Sequence, residues 1–305
     1  MKPEQLAALI EQLGQLLPGA TTSERARFAH SIACHEPYTL GPDSLPQTGV
    51  PKGSITPGHC APGAIYPDVA HAYHRYVPAQ YDASQPAGLI VFQDGSRYLG
   101  PEANAPTVLD NLIHAGVLPP MVAVFVDPGV EGPGLPIYGG PGNRSVEYDS
   151  IGDAYVRFLI EELLPVATEG LNISNDPALR VICGLSSGGV CAFNAAWERP
   201  DVFGKVISHC GSFVNIRGGH ELASAVRRSE PKPLKVFLQT GQHDLDIVFG
   251  SWLRANRELA AALQYCGYTH QLVVGEGGHS LKHGGALLPD TLRWLFEVDP
   301  SCKQN

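Results

Sequence analysis

The chain reads as an α/β protein built on a mostly parallel, doubly wound sheet. Two patterns predict this. From residue 87 onward, short apolar runs alternate with longer segments whose apolar residues recur at helical spacing. The runs are continuously apolar rather than alternating, as strands covered on both faces must be. Length agrees, since 305 residues that are 44% hydrophobic can bury a sizeable core.

The elements follow in order. In "MKPEQLAALIEQLGQLLPGA", Leu6, Leu9, Ile10, Leu13, Leu16 and Leu17 fall at helical spacing with Glu4 and Glu11 between them. This predicts an amphipathic helix, not a secretory signal, which needs a basic start and an unbroken apolar middle. A second helix is expected over "TTSERARFAHSIAC", with Ser23 as its N-cap. Residues 37–68 are rich in Pro and Gly and read as a long ordered arm with a strand at Gly53–Thr56. "HAYHRYVPAQY" suits a further strand.

Then come the regular pairs. "AGLIVFQ" precedes a helix over "TVLDNLIHAG", and "MVAVFVD" one over "IGDAYVRFLIEELLPVA". "RVICG" leads to "GGVCAFNAAWE", "KVISHCG" to "HELASAVRR", "KVFLQTG" to "GSWLRANRELAAALQYCG" and "HQLVVGE" to "GALLPDTLRWLFEV". The expected organisation is a helical N-terminal extension and arm over residues 1–50 and a catalytic domain over 51–305.

Composition excludes several classes. The formal net charge is −9 and no basic stripe appears, so nucleic acid is not an expected partner. No run approaches the roughly 18 apolar residues of a membrane span. The chain has seven cysteines without a CxxC pair, and Cys183, Cys191 and Cys210 sit in apolar segments, which suits reduced thiols and a cytoplasmic protein. His71 with His74, and His279 with His283, have short spacings, but neither pair belongs to HExxH or a clear ligand cluster, so no metal is expected. No GxGxxG or Walker A pattern follows a strand, so no nucleotide cofactor is implied either.

In a doubly wound sheet, ligands bind beyond the carboxyl ends of the strands. The loops there carry chemistry. Gly184-Leu185-Ser186-Ser187-Gly188 fits the G-x-S-x-G elbow, between a strand and a helix, with Ser186 as nucleophile. A serine nucleophile needs a base, and the base needs an orienting carboxylate. In α/β-hydrolases these follow in the order Ser, Asp or Glu, His. "KVFLQTGQHDLD" offers Asp244, closing a Gly-x-x-Asp turn, with Asp246 as the alternative acid, and "HQLVVGEGGHS" offers His279 as base. The backbone N–H of Ser187 is one expected oxyanion donor, and those of Ser96 and Gly95, in "QDGSRYLG", supply the other.

These residues resemble a known family. "VFQDGSRYL", "NRSVEYD", "GLSSGGVCAFNAAWERPDVFGKVISHCGSF", "IRGGH", "GQHDLD" and "GEGGHSLKHGGALLPDTLRWLF" together look like the putative-esterase family, which includes enterochelin esterases and feruloyl esterases of the esterase D type. The similarity covers residues 50 to 298. It implies an α/β-hydrolase fold, hydrolysis of carboxylic esters, a triad at Ser186, Asp244 and His279, and an Asp-Gly-x oxyanion segment at Asp94-Gly95-Ser96.

Four further residues are candidates for substrate contact. Arg144 either pairs with Glu147 to brace the site or meets a substrate carboxylate. Arg217, beside two glycines, contacts substrate or ties a loop. Tyr98 and Trp252 are candidates for an acyl-binding wall. The Gly- and Pro-rich segment over residues 128–144 is a candidate lid. The expected function is a cofactor-independent serine esterase acting through an acyl-enzyme on a small aryl, hydroxycinnamoyl or siderophore-type ester. An acyltransferase using the same triad and a non-catalytic ligand-binding relative are the alternatives.

Overall fold

The computed structural model describes residues 2–16, 19–34, 38–129 and 143–297. Two helices come first, α1 (Pro3–Leu16) and α2 (Thr22–Ala33). Thr21, not Ser23, caps α2: its hydroxyl accepts from Glu24 N–H, and the Glu24 carboxylate accepts from Thr21 N–H. Only a cap at Thr21 places a glutamate three residues on and closes this reciprocal box.

The arm carries β1 (Ser54–Cys60), longer than expected, followed by β2 (His71–Val77). Next are β3 (Gly88–Gln93), the short α3 (Gly95–Leu99), α4 (Ala105–His114) and β4 (Met121–Val126). After α5 (Arg144–Asp149), the helix expected from residue 151 begins only at α6 (Ala154–Arg157), passes through a π-helical turn at Phe158–Leu163 and ends in α7 (Leu164–Ala167). Pro165 has no N–H to return to the preceding turn, and a π turn accommodates that break.

The second half runs β5 (Arg180–Leu185), α8 (Ser187–Glu198), β6 (Lys205–His209), α9 (Leu222–Arg228) and β7 (Lys235–Gly241). A two-strand hairpin, β8 (Asp246–Ile247) and β9 (Gly250–Ser251), precedes α10 (Trp252–Tyr265), β10 (Thr269–Gly275) and α11 (Leu281–Phe296).

The main sheet has eight strands in the order β1-β2-β4-β3-β5-β6-β7-β10. β1 and β2 are antiparallel, as are β2 and β4, and all other pairs are parallel. The continuous apolar runs serve both faces. Leu89, Val91, Val122, Val124, Ile182, Val206 and Leu238 join the core under α8 and α10. Ile90, Phe92, Ala123, Phe125, Val181, Ile207 and Phe237 join the core under α4 and α11. Because side chains alternate across a strand, every second residue points to each layer, and both layers exclude water.

This is the α/β-hydrolase arrangement, and strain collects at the end of the sheet where the loops gather. Asp94, Ser186 and Cys210 are non-glycine residues with φ of 54°, 59° and 47°, and they directly follow β3, β5 and β6. Such conformations cost of order 1–3 kcal/mol each and persist only where the surroundings hold them.

Candidate active site

Ser186 sits between β5 and α8 on a turn that the neighbouring glycines permit. A Cβ on Gly184 would lie 2.1 Å from Gly188 O, so only glycine lets the strand and the helix start approach this closely. Ser186 N–H donates to His209 O at 2.8 Å, and Ser186 O accepts from Gly189, Val190 and Ser212 N–H groups. The backbone is thereby clamped on both sides, and the side chain is left to face the cavity.

His279 and Asp244 arrive from the loops after β10 and β7. His279 Nε2 is 2.8 Å from Ser186 Oγ, and His279 Nδ1 is 2.6 Å from Asp244 Oδ1. Asp244 N–H donates to Gly241 O, closing the turn after β7, and its carboxylate accepts from Thr240 Oγ1 at 2.7 Å and Leu245 N–H at 2.7 Å. Burial alone would raise the Asp244 carboxyl, but His279, Thr240 and Leu245 outweigh it and hold it below the usual carboxylate range. An ionised Asp244 accepts a hydrogen bond from Nδ1–H and so holds the proton on Nδ1, which leaves Nε2 as acceptor for the Ser186 hydroxyl. Asp246 is exposed in the β8–β9 hairpin and neither joins this chain nor caps α10, whose N-cap is Ser251.

Three polar groups around this chain carried no obvious sequence signal. Ser212 Oγ is 3.3 Å from Ser186 Oγ and accepts from Trp252 Nε1 at 3.1 Å. Thr240 holds the far oxygen of Asp244. Ser31, on α2, touches the His279 loop. Position after β6 could have flagged Ser212, but a helix at the far N-terminus gave no reason to single out Ser31.

The oxyanion segment differs from expectation. Asp94, in the left-handed region, turns the chain so that Ser96 N–H donates to Asp127 Oδ1 at 3.0 Å. That engagement removes Ser96 from the expected donor pair. Gly95 N–H and Ser187 N–H, at the starts of α3 and α8, make no hydrogen bond to a described residue and stay available. Gly95 is glycine of necessity, since a Cβ there would lie 2.3 Å from the Phe125 backbone carbon.

The substrate-contact candidates are also redistributed. Arg144 does not pair with Glu147. It grips Asp94 with two bonds of 2.7 Å and adds a 3.3 Å contact to Leu185 O. Burial opposes the Arg144 charge, but Asp94 more than offsets it, so the guanidinium stays charged. Glu147 instead lies buried beside His71 Nε2 at 3.0 Å and accepts from Gly129 N–H and Asn143 Nδ2. Arg217 donates to Ser145 Oγ, a loop tie. Tyr98 is fully buried with its hydroxyl 2.9 Å from His209 Nδ1, so it belongs to the core and not to an acyl wall. Trp252 is likewise buried and stands edge-on to the His279 ring, 6.0 Å between centroids, supporting the imidazole from behind. Most of the candidate lid, residues 130–142, lies outside the described residues.

A cavity of about 540 Å³ opens over Ser186 and His279, walled by Phe28 and Ile32 of α2, Leu185, Arg97, Lys282 and, among the substrate-contact candidates, Arg144. Among the described residues, Cys210, Asp244 and His279 are the one group close enough to share a metal ion. The Asp244 and His279 atoms of that group are already engaged with each other and with Ser186, so the donor set does not fit a resident metal.

With this geometry in view, the sequence pattern of the family described as "Putative esterase" matches residues 72–295. The chain belongs to the putative-esterase family. An iron(III) enterobactin esterase of Dickeya dadantii (strain 3937) is 30% identical over 227 residues, covering 69% of this chain and 48% of that protein. The chain thus spans about half the length of that relative. Two solved structures share the fold. A ferulic acid esterase from Anaeromyces mucronatus has a TM-score of 0.66 at 17% identity, covering 85% of this chain and 97% of its own. The enterobactin esterase of Shigella flexneri, crystallised in the presence of 2,3-dihydroxy-N-benzoyl-serine, has a TM-score of 0.65 at 22% identity, covering 85% and 63%. No helix among the described residues is long and apolar enough to cross a membrane.

Proposed function

We propose that this family member is a serine carboxylesterase with Ser186 as nucleophile, His279 as general base and Asp244 as the orienting acid. The observation that carries the reading is the continuous chain of hydrogen bonds from Asp244 through His279 to Ser186, ending on a strained turn that faces a cavity. His279 Nε2 takes the hydroxyl proton as Ser186 Oγ attacks the ester carbonyl. The negative charge that develops on the carbonyl oxygen meets Ser187 and Gly95 N–H groups and the N-terminal end of α8. The imidazolium, held by Asp244, returns its proton to the leaving alcohol. Water then attacks the acyl-enzyme by the same route in reverse and releases the acid.

The acyl side of the substrate is an aromatic acid with polar substituents. Phe28, Ile32 and Leu185 supply apolar wall for a ring, while Lys282 and Arg97, the latter paired with Glu102 at the cavity wall, suit ring hydroxyls. Hydroxycinnamoyl esters and esters of dihydroxybenzoyl-serine, whose ring is joined through an amide, meet that description, in line with a ferulic acid esterase and with the 2,3-dihydroxy-N-benzoyl-serine present with the Shigella flexneri enzyme. A cytoplasmic setting fits the free thiols of Cys34, Cys60, Cys183, Cys191, Cys210 and Cys266.

The test is incubation with a fluorophosphonate probe and mass spectrometry of the labelled peptide. Label on Ser186, absent in His279→Ala, is the expected result. Folded protein that takes no label, or that carries it on Ser212, overturns the assignment.

A further inference from the structure

Helix α2 precedes the sheet by many residues, yet it is bolted to the two loops that carry the proposed acid and base. Ser31 Oγ donates to His243 O at 2.8 Å and accepts from His279 N–H at 3.1 Å. One hydroxyl thus joins the residue before Asp244 to the backbone of His279. Beside it, Gly278 N–H donates to Cys34 O at 3.0 Å. The approach is so close that a Cβ on Gly278 would overlap Ser31 O. Phe28, one turn earlier, meets the His279 ring edge-on at 6.5 Å, in addition to the contact made by Trp252.

The chemistry of Ser31 is unusual for its place. A serine inside a helix commonly bonds back to a carbonyl of its own preceding turn. Ser31 does not: it is 5% exposed, and its hydroxyl bonds to His243 and His279, both outside α2. Burying a hydroxyl is unfavourable unless donor and acceptor are both met, and here both are met by the acid and base loops. The imidazole turns about only two side-chain bonds, and Asp244 and the Phe28 and Trp252 rings restrain it, so a shift of the His279 backbone moves Nε2 relative to Ser186 Oγ.

We infer that Ser31 is a positioning residue for the reaction, and that α2 is a working part of the active site and not an appendage to it. The inference rests on the proposed roles of His279 and Asp244. Ser31 touches no reacting atom. It holds the loop geometry on which the 2.8 Å contact between His279 and Ser186 depends.

The experiment compares Ser31→Ala, Ser31→Thr and Ser31→Cys with the unaltered chain on para-nitrophenyl and hydroxycinnamoyl esters. Ser31→Ala is expected to lower kcat about 10- to 100-fold, the scale of a small misplacement of a catalytic group, with KM nearly unchanged. Ser31→Thr, which keeps the hydroxyl, restores most of kcat, and the rate of fluorophosphonate labelling at Ser186 follows kcat through the series. Ser31→Cys, similar in size with a weaker donor, falls between. If Ser31→Ala does not fold, the Cys and Thr pair decides: equal kcat in the two overturns the inference. A folded Ser31→Ala with undiminished kcat also overturns it, as does a loss shared equally by Thr and Ala. His279→Ala, assayed alongside, separates the two levels. If it keeps full activity, the esterase reading itself fails. If it is inactive while Ser31→Ala keeps full kcat, only the positioning role of Ser31 fails.

Discussion

His279 Nδ1 lies 2.6 Å from Asp244 Oδ1, whereas Asp246, two residues further on, is exposed on a hairpin. Asp244→Asn keeps the shape but offers an amide where the Nδ1 proton needs an acceptor. It is expected to lower kcat by about 10⁴-fold, while Asp246→Asn stays within about two-fold, as surface changes generally do. Steady-state ester hydrolysis by the two purified variants checks this. A collapse in the second and not the first reverses the assignment.

Acid sensitivity should centre on His209. Burial, with a smaller contribution from His283, lowers its pKa from 6.5 to about 3. The unfolded chain therefore binds a proton below about 6.5 that the folded chain refuses. Stability attached to this group is fully present above that pH and is lost as pH falls from 6.5 towards 3, at about 1.4 kcal/mol per pH unit. Urea unfolding at pH 7, 6, 5 and 4 measures the slope. His209→Gln should flatten it by close to one proton's worth.

Gly184 is the hinge of the nucleophile turn. Ala there would set a methyl 2.1 Å from Gly188 O, and backbone on both sides leaves little room to yield. Gly184→Ala should destabilise the fold by about 3 kcal/mol, at the upper end of overpacking costs, and abolish labelling of Ser186 even where the protein still folds. Chemical denaturation and probe labelling on the same sample report the two effects.

Arg144 grips Asp94 with both arms of its guanidinium, and Asp94 adjoins Gly95. Lysine cannot reproduce the two-pronged contact. Arg144→Lys should lower kcat about ten-fold through the displaced oxyanion loop. Its effect on stability should be under about 1 kcal/mol, because Arg144 is partly exposed. A rise in KM at constant kcat would point instead to direct contact with substrate.

Tyr98→Phe tests the core placement of that side chain. It removes the hydroxyl beside His209 Nδ1 and should cost about 1–2 kcal/mol, the price of a buried acceptor left unmet, with KM unchanged. A raised KM for aryl esters would return Tyr98 to the substrate wall.

Much of this protein was determined by local sequence alone. Continuous apolar runs such as "GLIVF" and "MVAVFV" are too short for helices, rich in β-branched and aromatic residues, and alternate with helical segments, so the sheet and its two helical layers were legible. Gly-x-Ser-x-Gly between strand and helix singled out Ser186 as the proposed nucleophile, because backbone sterics at a tight turn are local, and chain order singled out His279 and either Asp244 or Asp246 as its proposed partners. What local sequence could not decide depends on which distant segments meet. Arg144 had two carboxylates to choose from, and packing gave it Asp94 while Glu147 went to His71. Ser96 lost its N–H to Asp127 across a neighbouring strand end. Tyr98 and Trp252 were aromatic residues near the site by sequence, but depth in the core settled their roles. Ser31 is the clearest case. It reaches His279 across 248 residues of chain, and no spacing rule encodes such a contact. Only the folded packing of α2 against two loops brings that hydroxyl to both.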